Sequence, residues 1–222
     1  MLLPLLLLPG PLLAQQSGLA IGGGSGASAS AEFWAPGELH CSLPSLNREM
    51  ADHTVNSWQD KLIACSGDSC DQLTASGWQH WRNTQFYRSG HTSAVTSRGL
   101  LLVGGRGSST LAEFLSWDEG EYAGGFNLAD GRGYHCSIQT SPSTVVLTGG
   151  LTTESQVTEL SGLAAGETVS YRELPGLLQG REGHACGYYN MGTTQVKEHA
   201  QKINITFIFI FQTGGSSAIK NN

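Results

Sequence analysis

The sequence predicts an all-β protein, a β-propeller that is incomplete after about three to four blades. The composition, a repeated motif and a set of short apolar runs support this prediction. Only 14% of the 222 residues are charged and 8% are aromatic, whereas there are 30 glycines. This composition favours turns and short strands over helices. A motif with one histidine and a glycine pair returns along the chain, so the strands are expected to form repeated units.

The repeat is defined by the spacing between each histidine and the glycines that follow it. Successive repeat histidines are separated by 38, 44 and 49 residues, and the second glycine follows its histidine after 14 or 15 residues. Periods of this length suit the blades of a propeller. The first copy is weaker, since Ser66 replaces the first glycine. The repeat residues are His53, His91, Gly104, Gly105, His135, Gly149, Gly150 and His184.

Each part of the repeat has a physical interpretation. The apolar runs Leu100–Val103 and Val145–Leu147 read as inner strands that are buried on both faces. A glycine pair directly after such a strand allows positive φ and a close approach between backbones. One aromatic residue also precedes each of the last three repeat histidines, and we expect these residues to pack one blade on another. They are Trp81, Phe126 and Tyr171.

The pattern of arginine, histidine, apolar strand, glycine pair, glutamate and aromatic residue resembles the kelch repeat. In the clearest unit it is carried by Gly90, His91, Gly104, Gly105, Glu113 and Trp117. The similarity covers roughly residues 41–189. It implies blades of four antiparallel strands, six or seven blades in a closed ring, and recognition of other proteins through loops at one face. The segment after each glycine pair departs from the family pattern.

The ends of the chain differ in composition from the repeats. Residues 1–16 form a leucine-rich run that predicts a signal peptide and a secreted, extracellular protein. Residues 17–32 read as a flexible linker, and residues 33–195 as the propeller segment. The repeat predicts a glycine pair near residue 198, but the register is lost there. Residues 196–222 are therefore a non-kelch tail, explained by an incorrect gene model or by a divergent terminal strand.

Five cysteines can pair in an oxidising compartment, and an odd number leaves at least one without a partner in the chain. The spacing of Cys65 and Cys70 suits a disulfide across a turn that follows a strand. Cys41 could compete for either of them, because spacing alone does not fix the pairing. The alternative is that all five are small buried hydrophobic residues.

Several functional classes find no support in the sequence. The net charge is −6 and the twelve Lys and Arg residues are scattered, so no nucleic acid partner is expected. No membrane span is expected after signal removal. The repeat histidines recur once per blade and are therefore interpreted as structural rather than as metal ligands. Accordingly, we assign no catalytic residue, no cofactor-binding residue, no metal ligand and no cofactor.

The sequence therefore predicts an extracellular binding module with no enzymatic activity. Its partner would be a protein or a glycan that contacts loops held by a rigid scaffold. The candidate loops are Arg106–Thr110, Thr152–Gln156 and Leu174–Gln179. Two alternatives stay open, the propeller part of a copper oxidase similar to galactose oxidase and a non-functional truncated fragment.

Overall fold

The computed structural model describes residues 18–21, 27–34, 41–58, 61–117, 122–195 and 202–211. In these ranges every regular element is a strand, and no helix is long and apolar enough to cross a membrane. The strands are β1 (Gly18–Ile21), β2 (Ala31–Trp34), β3 (Cys41–Ser42), β4 (Thr54–Trp58), β5 (Lys61–Thr74), β6 (Gly77–Arg88), β7 (Thr92–Val95), β8 (Leu100–Val103), β9 (Leu111–Leu115), β10 (Tyr122–Asn127), β11 (Cys136–Ser141), β12 (Thr144–Thr148), β13 (Val157–Ser161), β14 (Ser170–Leu174), β15 (Ala185–Gln195) and β16 (Lys202–Phe211).

These strands form five antiparallel sheets in chain order, which we call blades 1 to 5. Blade 1 contains β1–β3, blade 2 contains β4–β6, blade 3 contains β7–β10, blade 4 contains β11–β14, and blade 5 contains β15 and β16. In blades 3 and 4 each strand pairs with the next one along the chain. The first strands of successive blades contact one another, β4 with β7, β7 with β11 and β11 with β15. Blades 2 to 5 are therefore arranged around a common axis.

Blade 2 has the same plan as blades 3 and 4 although it contains only three named strands. The Cα atoms of Cys65 and Cys70 lie 4.0 Å apart, whereas five residues of extended chain would span about 16 Å. The chain therefore reverses direction inside β5. Residues 61–65 pair with β4, and the part of β5 from Gly67 onwards pairs with β6.

The two ends of the first strands define two faces of the ring. The residues before the repeat histidines and the glycine pairs lie at one end, which we call the loop face. The first strand of each blade then runs to the opposite end, which we call the hairpin face because β4, β7 and β11 turn there into their successors.

The core lies between blades, as expected from strands buried on both faces. Leu101 and Val103 of β8 pack with residues of blade 4, whereas Leu100 and Leu102 pack with residues of blade 2. All four side chains are fully buried. The uninterrupted apolar run is therefore required because each side of β8 faces a neighbouring blade.

The aromatic residues before the repeat histidines lie on the outermost strands. Trp81 is on β6, Phe126 on β10 and Tyr171 on β14. The rings of Phe126 and Tyr171 contact each other edge to face across blades 3 and 4, with centroids 6.1 Å apart. This agrees with the predicted role of these residues in packing one blade on another.

One prediction at the N-terminal end of the chain needs correction. The flexible linker predicted for residues 17–32 is wrong in part, since Gly18–Ile21 pairs with Ala31–Trp34 in blade 1. Strand pairing needs only backbone hydrogen bonds, so small residues that resemble a linker satisfy it. The apolar run of the predicted tail forms β16, which pairs with β15. The predicted signal peptide and the rest of the tail lie outside the described residues.

Candidate recognition site

The repeat histidines connect each blade to the one before it. His91 Nε2 lies 3.1 Å from Thr54 Oγ1 of blade 2, and His135 Nε2 lies 2.8 Å from Thr92 Oγ1 of blade 3. In both cases the threonine directly follows the histidine of the preceding repeat. His53 is partly buried and occupies the equivalent position before β4. The described residues contain no group of three or more side chains able to hold a metal ion.

The glycine pairs provide the space that these histidines occupy. A Cβ added at Gly105 or Gly150 would lie 2.9 or 2.8 Å from Cβ of the histidine in the same blade. At the first glycine of each pair, an added Cβ would lie 2.3 Å (Gly104) or 2.4 Å (Gly149) from a carbonyl oxygen of the next repeat arginine. All four have φ between +58° and +105°. The predicted crowding is therefore present, and its cause is the histidine and the backbone of the next repeat.

The repeat arginines, which the sequence reasoning left out of the candidate site, fix the loops after the glycine pairs. Arg88 is fully buried, and its Nη1 donates to the carbonyl oxygens of Gly104 and Leu111, each at 2.7 Å. Its Nε donates to Glu113 Oε1 at 2.9 Å. Arg48 donates in the same way to the carbonyls of Ser66 and Ser69. The sequence does contain a pattern that identifies these arginines, since an arginine precedes three of the four repeat histidines by three residues.

The structural equivalent of Glu113 in blade 4 is Thr158, not Glu159. Arg132 Nη2 donates to Thr158 Oγ1 at 2.6 Å, as Arg88 does to Glu113. Glu159 instead pairs with the exposed Arg172 on the sheet surface. Both Glu113 and Thr158 follow the second glycine by eight residues. The fixed spacing therefore identifies the partner of the repeat arginine better than the residue type does.

A chain of backbone hydrogen bonds runs from blade to blade around the axis at the loop face. It joins the four residues that directly precede the repeat histidines. The N–H of each of the last three donates to the carbonyl oxygen of the equivalent residue in the preceding repeat. The distances are 3.0 Å (Gly90 to Asp52), 2.8 Å (Tyr134 to Gly90) and 2.7 Å (Gly183 to Tyr134). All four have φ between +49° and +63°. The inner rim of the loop face is therefore held by the backbone itself.

The junction between blades 4 and 5 is covalent. The residue after His135 is Cys136 instead of threonine, and it forms a disulfide with Cys186 of β15. His184 Nε2 lies 2.8 Å from Thr148 Oγ1 instead. The predicted bridge between Cys65 and Cys70 is also present, within blade 2. The second bridge was not predicted, because its 50-residue separation carries no local turn signal.

Replacing Cys136 and Cys186 together by serine should release blade 5 selectively. β15 has its disulfide to β11 and its pairing with β16, so loss of the bridge removes its covalent tie to the ring. Hydrogen exchange in residues 185–187 should become faster, while β8 and β12 keep their protection. Loss of protection throughout the molecule would contradict this local role. The Cys65→Ser/Cys70→Ser variant is the control, since its bridge lies within one blade.

Burial lowers the pKa of three repeat histidines, His91, His135 and His184. Desolvation first, and then the positive charge of Arg88 and the ring of His53, lower the pKa of His91 to about 3. The pKa of His135 is lowered to about 3 by desolvation, by Arg132 and by His91 and His184. Desolvation and Arg181 also lower the pKa of His184. In the neutral ring, Nε2 either accepts from the threonine hydroxyl or donates to it, depending on the tautomer.

These pKa shifts predict that the protein loses stability in mild acid. An unfolded histidine binds a proton below about pH 6.5, whereas folded His91 and His135 stay neutral down to about pH 3. The free energy of unfolding should therefore fall as the pH drops through this window, by about 1.4 kcal/mol per pH unit for each histidine. Urea unfolding of the protein and of His135→Gln at several pH values measures the slope. The slope should be smaller in His135→Gln than in the wild-type protein, because one buried neutral histidine has been removed.

The three predicted recognition loops all lie at the loop face. Each of the first two has one buried hydroxyl three residues after its second glycine. Ser108 Oγ donates to the Tyr87 carbonyl at 3.2 Å, and Thr153 Oγ1 donates to the Gly149 carbonyl at 3.0 Å. Arg106 and Thr152 beside them are exposed. Buried hydrogen bonds therefore fix the inner part of each of these two loops, while the outer residues face solvent.

Neighbouring loops also contact one another. Leu177 N donates to the Ser155 carbonyl at 2.7 Å, which joins the third predicted loop to the second. Between blades 3 and 4, a cavity of about 260 Å³ opens at this face. It is lined by Arg106, Gly107, Ser109, Gly131, Gly133, Leu151 and Thr152.

Comparison with known proteins decides the fold class. No family model and no curated protein matches the chain. Among solved structures, YjhT, a propeller-type structure, superposes with a TM-score of 0.62 at 12% sequence identity. The chain has the fold of an incomplete β-propeller. The predicted all-β propeller class is thus confirmed, and at this identity the likeness concerns the fold alone. The superposition covers 75% of this chain and 64% of YjhT, so the chain spans less than two thirds of that protein.

Proposed function

We propose that the chain is part of a secreted, kelch-type propeller that binds a protein or a glycan partner through its loop face, without catalysis. The observation that carries the proposal is the convergence of three exposed loops on one face. Buried arginines and hydroxyls hold the first two loops, and the third is bonded to the second. A surface whose shape is fixed before binding loses little conformational entropy on association.

Secretion has support from both the sequence and the covalent structure. The two disulfides are compatible with an extracellular protein, since such bonds persist in oxidising compartments. The leucine-rich run of residues 1–16 fits a cleaved signal. Protein recovered from the medium of secreting cells should begin near residue 17 when its N-terminus is sequenced. Intact protein retained inside these cells would contradict secretion.

The binding proposal is tested with substitutions that add negative charge at the loop face. The wild-type protein, immobilised and exposed to extracellular fluid, should retain a partner that the Arg106→Glu/Thr152→Glu variant retains at least about tenfold less. Arg172→Glu is the matched control, because Arg172 is exposed on β14 outside these loops. Equal capture by both variants would contradict a site at the loop face. Peroxide release by the copper-treated protein would instead support an oxidase.

A further inference from the structure

The cavity at the loop face between blades 3 and 4 combines one positive charge with a lining that is mainly apolar. Three of its seven lining residues are glycines, and Leu151 adds an aliphatic side chain. Arg106 is the charged member of this set. Its side chain is exposed and forms no ion pair within the ranges that the structure describes. The nearby Asp130 lines a separate gap with Arg132 instead.

The glycines of the lining supply backbone hydrogen-bond donors. In the described part of the chain, the N–H groups of Gly107, Gly131 and Gly133 donate to no backbone carbonyl. Such N–H groups are available to a ligand, and the missing side chain lets a ligand atom approach the backbone closely. A group of backbone N–H donors is a known type of anion-binding site, and a guanidinium beside it adds a charge-assisted hydrogen bond.

The walls of the cavity are fixed before any ligand binds. Leu151 N donates to the Gly133 carbonyl at 2.8 Å. Thr152 Oγ1 donates to the Gly131 carbonyl, also at 2.8 Å. Both bonds join the loop of blade 4 to the segment that enters the same blade. A ligand therefore meets a shape that is already formed, which reduces the entropy lost on binding.

An exposed aromatic ring adjoins the cavity. Tyr87 is 64% exposed. Its ring lies beside the cavity wall, since a Cβ added at Gly107 would be 3.5 Å from Tyr87 Cδ1. Tyrosine and arginine are the residue types that dominate many protein interfaces. Tyr87 therefore offers a contact for the part of a ligand that remains outside the cavity.

We propose that this cavity binds the C-terminal residue of a protein partner. Arg106 and the glycine N–H groups bind the terminal carboxylate, while Leu151 contacts the side chain of the same residue. A cavity of about 260 Å³ admits the end of a peptide chain but not a folded surface. The proposal rests on the proposed function and selects a protein over a glycan, because a mainly apolar lining leaves the hydroxyl groups of a sugar without partners.

The test compares peptides whose chain end is either charged or neutral. Hexapeptides with randomised C-terminal halves are synthesised in two forms, with a terminal carboxylate and with a terminal carboxamide, and are added to the immobilised whole protein. Mass spectrometry identifies the retained sequences. Peptides with the carboxylate should be retained, and the same sequences as carboxamides should bind at least about tenfold more weakly. Since the side chains are identical, this difference measures the contribution of the terminal charge.

Two variants assign the binding to this cavity. Arg106→Gln should weaken it by about tenfold or more, because the positive charge is lost. Gly133→Ala should also weaken it, because the added methyl group lies 3.4 Å from Arg106 N within the lining. No other atom would be closer to that Cβ, so the variant should fold. Arg172→Gln is the matched control, since Arg172 is an exposed arginine on β14 outside the cavity.

The proposal would be wrong if the carboxamide peptides bound as tightly as the carboxylate peptides, or if Arg106→Gln bound them as tightly as the wild-type protein. Tighter binding of glucuronate than of every peptide would also overturn it, because the ligand would then be an acidic glycan. If neither peptide form is retained while the loop face still captures a partner from extracellular fluid, the chain-end site is rejected and the proposed function stands. Loss of both would reject both.

Discussion

Arg88→Met is expected to lower the free energy of unfolding by about 3–5 kcal/mol, the range found when one partner of a buried ion pair is removed. Arg88 and Glu113 are both fully buried, so the change leaves the Glu113 carboxylate without its charged partner. The carbonyls of Gly104 and Leu111 also lose the hydrogen bond from Arg88, and Leu111 keeps only the one from Gly104 N. Urea unfolding measures the change.

Two further variants define what Arg88 contributes. Arg88→Met/Glu113→Leu should be less destabilised than the sum of the two single changes, because it leaves no unpaired buried charge. Arg172→Met, which breaks the exposed pair with Glu159, should change stability little. If Arg88→Met had no larger effect than Arg172→Met, the buried arginine would not hold the loop after the glycine pair.

Gly149→Ala should cost about 3 kcal/mol or more, well above the cost of positive φ alone. An added Cβ would lie 2.4 Å from the Arg181 carbonyl oxygen and 2.9 Å from His184 Cε1. Gly183→Ala is the matched control, since φ is +59° there and +58° at Gly149, and no atom lies within 4 Å of its added Cβ. The control should lose only about 1–2 kcal/mol, the cost of the left-handed conformation.

Chemical denaturation of these two variants separates the two causes of glycine preference. If Gly149→Ala lowers the free energy of unfolding by about 2 kcal/mol more than Gly183→Ala does, the additional loss is due to contact with the next repeat. Equal losses would show that backbone conformation alone requires the glycine and that the repeats are not in tight contact at Gly149.

The repeated parts of the fold could be predicted from the sequence because their causes are local. A strand between two blades must be apolar on both sides, and Leu100–Val103 shows this directly. The glycine pairs and the repeat histidines share one junction, so their spacing is kept from one repeat to the next. In blade 4 the residue equivalent to Glu113 is Thr158, which the spacing from the glycine pair identifies although the residue type differs.

Other features depend on contacts that no local pattern reports. The bond between Cys136 and Cys186 joins residues 50 positions apart. Blade 1 is built partly from small residues, whose strands are specified by pairing rather than by an apolar pattern. The loop-face cavity combines Arg106, Gly133 and Leu151 from two neighbouring blades, so its composition appears only after the blades are packed.

The contact between each glycine pair and the histidine of the next repeat also bears on how such a chain can change in evolution. Gly104 faces His135, and Gly149 faces His184, and in both cases Cε1 is the histidine atom that comes nearest to the glycine. Blades 3 and 4 therefore share this contact with their successors. Duplication or loss of one whole period in a gene would join compatible surfaces, whereas a breakpoint inside a period would not. Blade number is thus free to vary between descendants of such a gene, provided that recombination occurs in phase with the histidines.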